Sequence, residues 1–84
     1  MKDDRLYLIH ILESIERVEE YTCQGLEQFL SDKKTQDAVL RNLQILAEST
    51  QRISPELKTA NPEIDWRGIS GFRNVLVHDY LAIH

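Results

Sequence analysis

Apolar residues recur at helical spacing in three stretches of this chain of 84 residues, and polar residues mark where each stretch begins and ends. The first stretch predicts a helix from Asp3 or Asp4 to about Cys23, with Gly25 as its stop. Its apolar stripe is formed by Leu8, Ile11, Leu12, Ile15 and Val18. Residues 26–30 are expected to add one short helical turn.

The second stretch predicts a long helix over Lys33–Ile53. Asp32 is suited to cap its first turn, because a carboxylate there accepts a hydrogen bond from a free backbone N–H. Pro55 ends the helix, since the residue before a proline is disfavoured in the α region. Residues 55–64 are predicted to be a connection with a short turn near Leu57. The apolar face of this helix is formed by Val39, Leu40, Leu43, Leu46, Ala47 and Ile53.

The third stretch predicts a helix over Trp66–Ala82, with Asp65 as its N-cap. The side chains expected to pack inward are Ile69, Phe72, Val75 and Leu76. Apart from the short apolar run at 75–77, the sequence carries no strand pattern. The predicted fold is therefore all-α: a small antiparallel helical bundle forming a single domain over residues 1–84.

Charge narrows the classes of partner. The formal net charge is −4, which argues against a broad nucleic-acid interface. The acidity belongs to the first helix: residues 1–30 hold seven acidic and three basic side chains, whereas residues 31–84 hold seven of each. The C-terminal part is therefore still able to bind a phosphate locally.

Cysteine and hydropathy patterns predict a cytoplasmic protein without a metal site. Cys23 is the single cysteine, so no internal disulfide forms and a reducing compartment is expected. One cysteine and three scattered histidines do not make a zinc site. The longest apolar runs, of which Leu6–Ile9 is one, are too short to span a membrane, and the acidic start of the chain does not resemble a signal peptide.

The cluster richest in chemistry lies near the end of the chain, where Arg73 is followed five positions later by His78. An arginine binds phosphate through two parallel hydrogen bonds, and a histidine transfers protons near neutral pH. The spacing alone is weak, because Arg5 and His10 repeat it in the first helix. We interpret that earlier pair as solvent-facing surface residues.

Helix geometry constrains the cluster. With α-helical spacing, Arg73 and His78 lie about 140° apart around the axis and about 7.5 Å apart along it. Asn74 and His78 share one face, and Arg73 and Tyr80 share another. A single helix therefore does not bring the arginine and the histidine to one atom. Either the long arginine side chain wraps around the helix, or another element or a second subunit completes such a pocket.

The same residues are also compatible with a purely structural role. His78 suits the C-terminal part of a helix, where positive charge is favoured. Arg73 has possible ion-pair partners in Asp79 and in the glutamates of the first helix. Tyr80 is compatible with packing against the bundle.

Resemblance to a known family separates these alternatives. The segments that resemble HEPN-domain ribonuclease toxins of the HepT type are Ile15–Thr22, Phe29–Leu30 with Asp32–Leu43, and Trp66–Tyr80. The family motif is an arginine, a polar residue, three further positions, a histidine, any residue and a tyrosine. Arg73, Asn74, His78 and Tyr80 fill these places.

The resemblance implies a toxin of a type VII-like toxin–antitoxin system that homodimerises, with two motifs facing one cleft. It implies metal-independent endoribonuclease activity without a cofactor, with tRNA as the expected target. Arg73 and His78 are then catalytic, and Asn74 orients the phosphate or the histidine. The implied partner is a cognate minimal nucleotidyltransferase antitoxin, which silences such toxins by transferring AMP to the motif tyrosine, here Tyr80.

The resemblance also bears on the end of the chain and on the alternative functions. Family members continue past the motif into another helix, so this sequence, which ends at His84, is expected to lack that helix. Non-catalytic HEPN domains also exist. The alternative functions are therefore an interaction module that binds a nucleotidyltransferase or another protein, and a purely structural helical dimer.

Overall fold

The computed structural model describes residues 3–80, apart from the side chains of Val77, Asp79 and Tyr80. Over this range the chain forms five α-helices and a closing π-helix, with no strand, which confirms the all-α prediction. The elements in order are α1 (Asp4–Tyr21), α2 (Leu26–Ser31), α3 (Lys33–Gln51), α4 (Pro55–Ala60), α5 (Trp66–Asn74) and the π-helix (Val75–Tyr80). None of the helices in this part of the chain is long and apolar enough to cross a membrane.

Carboxylate caps start the helices where the sequence predicts. The Asp32 carboxylate accepts a hydrogen bond from the backbone N–H of Lys34 at 3.1 Å, and Asp65 accepts one from that of Gly68 at 2.9 Å. Each bond satisfies a backbone donor that the first turn of a helix leaves free. At their other ends, α1 and α3 each stop two residues before the predicted position.

Helix α4 lies where a short turn near Leu57 was predicted within the connection, and it extends that turn over Pro55–Ala60. The Ser54 hydroxyl caps this helix by accepting a hydrogen bond from the Leu57 N–H at 3.2 Å. Pro55 occupies the first helical position, where its fixed φ suits a helix and its missing N–H costs nothing. The pair Ser54-Pro55 therefore both ends one helix and begins the next.

Helix α3 is the centre of the bundle, because α1 and α5 both pack against it. The buried apolar side chains are Val39, Ala47, Ile53 and Leu76. The predicted inward positions of these four are confirmed. The buried and half-buried positions of α1 include Tyr7, Ile11, Ser14, Val18 and Tyr21. Their spacing marks the side of α1 that lies on α3.

Several side chains predicted to point inward instead face outward. The exposed ones are Leu8 (45%), Leu12 (56%), Ile15 (40%), Phe72 (44%) and Val75 (51%). The apolar arc of α1 is wider than its contact with one neighbouring helix, so the contact covers only one side of the arc. Exposed apolar side chains therefore remain on α1, and a second group remains at Phe72 and Val75, beside Arg73 and Asn74.

A polar junction ties the start of α1 to the start of α4. The Asp4 carboxylate accepts hydrogen bonds from the Ser54 N–H at 2.9 Å and from the Ser54 hydroxyl at 2.6 Å. Hydrogen bonds from the Ser54 side chain, and then from its backbone, lower the pKa of Asp4 below its ordinary value. Because these donors stabilise the ionised carboxylate, the junction favours the folded state when Asp4 is charged.

We expect Asp4→Asn to lower the melting temperature at pH 7. A carboxyl whose pKa is lower in the folded state contributes its full stabilisation above its unfolded pKa of about 3.9. That stabilisation is lost as the pH falls through the folded-state value, so the difference from wild type should shrink in acid. Thermal unfolding followed by circular dichroism from pH 7 to pH 2 measures this. Asp37→Asn, an exposed aspartate of α3, is the matched control, and an equal effect of both changes would contradict the role of the junction.

Candidate active site

The motif crosses a change of helix type. Arg73 and Asn74 are the last two residues of α5, whereas His78 and Tyr80 belong to the π-helix that follows. The prediction of one α-helix is therefore wrong over Val75–Tyr80. Its predicted end at Ala82 lies outside the described residues.

The π-helix changes the geometry expected for the motif. In a π-helix the backbone hydrogen bond joins residues five apart, and such turns occur mostly as single insertions, often at functional sites. Residues five apart lie closer to one face in a π-helix than in an α-helix, so the predicted separation of Arg73 and His78 around the axis no longer follows. The prediction that Arg73 and Tyr80 share one face of the helix no longer follows either, because it assumed α-helical spacing from one residue to the other.

The guanidinium group of Arg73 is held in place by two side chains. Its Nη2 donates to Glu48 Oε2 of α3 at 3.4 Å, and its Nη1 donates to Asn74 Oδ1 at 3.1 Å. The Arg73 side chain is 30% exposed. Its Nε is buried and has no hydrogen-bond partner among the described residues. Among the described side chains, the acidic partner of Arg73 is Glu48 of α3 and not a glutamate of α1. The side chain of Asp79, the other predicted partner, lies outside the described part of the structure. Glu48 is a site residue that the sequence did not reveal.

The histidine of the motif is open to solvent. His78 is exposed, so it is accessible to a molecule that approaches from solvent. Tyr80 lies in the π-helix, and its side chain is outside the described part of the structure. Among the described residues, no group of three His, Cys, Asp or Glu side chains is placed to hold a metal ion. Metal-independent chemistry stays a prediction.

Arg5 and His10 of α1, which have the same spacing as Arg73 and His78, lie in different surroundings. Arg5 is exposed, as predicted, but His10 is half-buried. The ring of His10 meets that of Tyr7 edge to face, with the centroids 6.1 Å apart. The prediction of a solvent-facing residue is therefore wrong for His10, whose role is packing within α1.

Comparison with known proteins identifies the family. The family described as "Ribonuclease HepT-like" matches residues 11–84. A Thermococcus cleftensis protein named "Probable ribonuclease HepT" is 44% identical over 78 residues, which cover 92% of this chain and 71% of that protein. A protein of Methanocaldococcus jannaschii named as a candidate RNase is 33% identical over 84 residues, covering 99% of this chain and 69% of that protein. No solved structure is a significant match. The chain belongs to the HepT-like ribonuclease family.

Proposed function

We propose that this chain is a metal-independent endoribonuclease in which Arg73 binds the scissile phosphate and His78 transfers protons. The observation that carries the proposal is the placement of the motif in a HepT-like chain. A half-buried arginine lies in the last turn of α5, and an exposed histidine follows within the π-helix. The first supplies a guanidinium group suited to a phosphate, and the second supplies an accessible imidazole, which is a group able to transfer protons.

The proposed reaction uses the 2′-hydroxyl of the RNA as the nucleophile. A base removes the proton of this hydroxyl, its oxygen bonds to phosphorus, and the bond to the 5′-oxygen breaks after an acid protonates the leaving group. Arg73 stabilises the charge that develops on the phosphate oxygens. A single histidine does not serve as base and acid at the same moment, so two copies of His78 in one cleft fit the chemistry better.

A homodimer related by a two-fold axis would supply those two copies. Exposed apolar side chains beside the motif support this part of the proposal. Phe72 and Val75, at 44% and 51% exposure, flank Arg73 and Asn74 along the chain. The two residues are three positions apart, which places them as neighbours on a helical surface, and a contiguous exposed apolar patch is typical of an interface. We propose that Phe72 and Val75 lie between the two subunits.

Incubation of the purified chain with RNA in excess EDTA tests the proposed activity. We expect fragments that end in a 2′,3′-cyclic phosphate, with tRNA cleaved in preference to other RNA. Cleavage that requires an added divalent cation would contradict the metal-independent mechanism. A chain that leaves all RNA intact but binds the neighbouring nucleotidyltransferase would instead favour the non-catalytic interaction module.

We further propose that the chain is the toxin of a toxin–antitoxin pair, silenced by a nucleotidyltransferase that modifies Tyr80. In this reaction the tyrosine oxygen attacks the α-phosphate of ATP, AMP is attached and pyrophosphate leaves. The added phosphate places bulk and negative charge on the element that carries His78, so it competes with the RNA backbone. The motif tyrosine and the HepT-like family support this proposal.

Replacing Tyr80 with phenylalanine is expected to separate toxicity from neutralisation. The variant lacks the hydroxyl that accepts AMP, so co-expression of the antitoxin should no longer restore growth. Colony counts with and without the antitoxin, together with intact-protein mass spectrometry, measure the two effects. Tyr21→Phe, a change at a half-buried tyrosine of α1, is the matched control. Neutralisation of Tyr80→Phe to the wild-type extent would rule out Tyr80 as the modified residue.

A further inference from the structure

The contact between Glu48 and Arg73 is the one ion pair recorded among the described side chains. It joins α3 to α5 across 25 positions of sequence, with Nη2 and Oε2 3.4 Å apart. The chain has 14 acidic residues and 10 lysines and arginines, yet this pair involves the arginine of the motif. An isolated surface pair adds little stability, so its position suggests a role in the site.

The choice of Arg73 as the partner of Glu48 supports a role of this ion pair in the site. Glu48 lines a pocket of about 300 Å³ together with Arg41 and Arg52. Arg52, the C-cap residue of α3, follows Glu48 by four positions, so it is a basic side chain near Glu48 along the same segment. The carboxylate nevertheless pairs with Arg73 on the neighbouring helix. The packing of α5 on α3 thus directs Glu48 towards the motif.

The contacts also fix the direction of the guanidinium group. Arg73 donates from Nη2 to Glu48 and from Nη1 to Asn74. Each terminal nitrogen of arginine carries two hydrogens, so one on each remains for a phosphate oxygen. A long side chain held at both terminal nitrogens has lost most of its rotational freedom before the RNA binds.

We propose that Glu48 is a positioning residue that orients Arg73 for the scissile phosphate. This inference rests on the proposed ribonuclease activity. Glu48 acts through the arginine and does not touch the RNA. Because Arg73 stabilises charge that develops in the transition state, loss of its orientation lowers kcat more than it raises KM.

Cleavage kinetics of Glu48 variants test the proposal. We expect Glu48→Ala to lower kcat by about 10- to 100-fold, as misplacement of a catalytic group does, with little change in KM. Glu48→Gln, which keeps an acceptor oxygen, should recover most of the rate. The matched control is Gln51→Ala, which removes a 2.8 Å hydrogen bond to Ser70 in the same α3–α5 interface and should leave kcat unchanged.

Two kinetic outcomes would overturn the proposal. Faster cleavage by Glu48→Ala would mean that the carboxylate inhibits the site. Equal losses in Glu48→Ala and Gln51→Ala would mean that both changes only loosen the interface. Inactivity of the wild-type chain itself would contradict the proposed ribonuclease function, and the positioning role then needs a measurement that does not depend on turnover.

Nitrogen-15 NMR of the arginine side chains supplies that measurement. The buried Nε of Arg73 should give a slowly exchanging N–H signal in the wild type and in Glu48→Gln. In Glu48→Ala the guanidinium group should rotate freely, and the signal should broaden by exchange. The same Arg73 signal in all three proteins would show that Glu48 does not orient this side chain.

Discussion

Replacing His78 with alanine is expected to reduce RNA cleavage by about 10²- to 10⁴-fold, the range typical for loss of general acid–base catalysis. The imidazole is exposed, so its removal should leave the fold intact. In the proposed two-chain cleft the change removes both proton-transfer groups, which should place the effect near the upper end of this range. Time courses of tRNA cleavage in EDTA measure the rate, and the growth defect expected for the proposed toxin should disappear in parallel.

The chain contains its own control for this experiment. His10 follows Arg5 at the same spacing as the motif, but it is half-buried and packs edge to face on Tyr7. His10→Ala should therefore affect stability more than cleavage measured at a temperature where the protein is folded. Cleavage that persists in His78→Ala, or that is lost equally in His10→Ala, would remove His78 from the catalytic role.

Local sequence signals predicted the helix starts well, because the groups that decide them lie within one turn. Asp32 and Asp65 cap α3 and α5 through hydrogen bonds to backbone N–H groups two and three residues away. The same type of signal is present at Ser54-Pro55, where a serine N-cap and a proline at the first helical position predict the start of a helix as well as the end of the preceding one.

The direction of side chains around a helix was less predictable. The apolar arc of α1 predicts that one face is buried, but it does not show which part of the arc meets a neighbour. Packing on α3 selected the side that carries Ser14, a residue with no exposed surface, and left Leu12 outside. Such a choice depends on which helices are present to cover the arc, and that is not a property of α1 alone.

The residues of the motif could be recognised in the sequence, whereas their geometry could not. The motif residues are recognised by spacing and resemblance, but an α-helix and a π-helix differ only in the register of their backbone hydrogen bonds. No residue between Val75 and Tyr80 is specific for the wider turn. Glu48 lies 25 positions before Arg73, and only the packing of α3 and α5 brings the two together.

The proposed two-chain cleft makes a strong prediction for Phe72→Glu. The side chain of Phe72 is 44% exposed in the single chain, so the change should not unfold the protein. In the proposed dimer it would place a carboxylate in an apolar interface, where burial of an unpaired charge costs several kcal/mol. We expect a monomer in light scattering and almost complete loss of cleavage. Leu26→Glu, at a 70% exposed leucine of α2, is the matched control and should stay dimeric and active.

Mixing of subunits distinguishes a shared cleft from two independent sites. Wild-type and His78→Ala chains, allowed to exchange in equal amounts, form one quarter wild-type dimers, one half mixed dimers and one quarter variant dimers, by random pairing about a two-fold axis. If each cleft needs both histidines, as base and as acid, the mixed dimers are inactive and the rate falls to about one quarter of wild type. If each subunit cleaves RNA alone, the mixed dimers keep half their activity and the rate falls only to about one half. A rate of one half, or full activity of a monomeric Phe72→Glu, would place the complete site within one chain and leave the two-histidine mechanism without support.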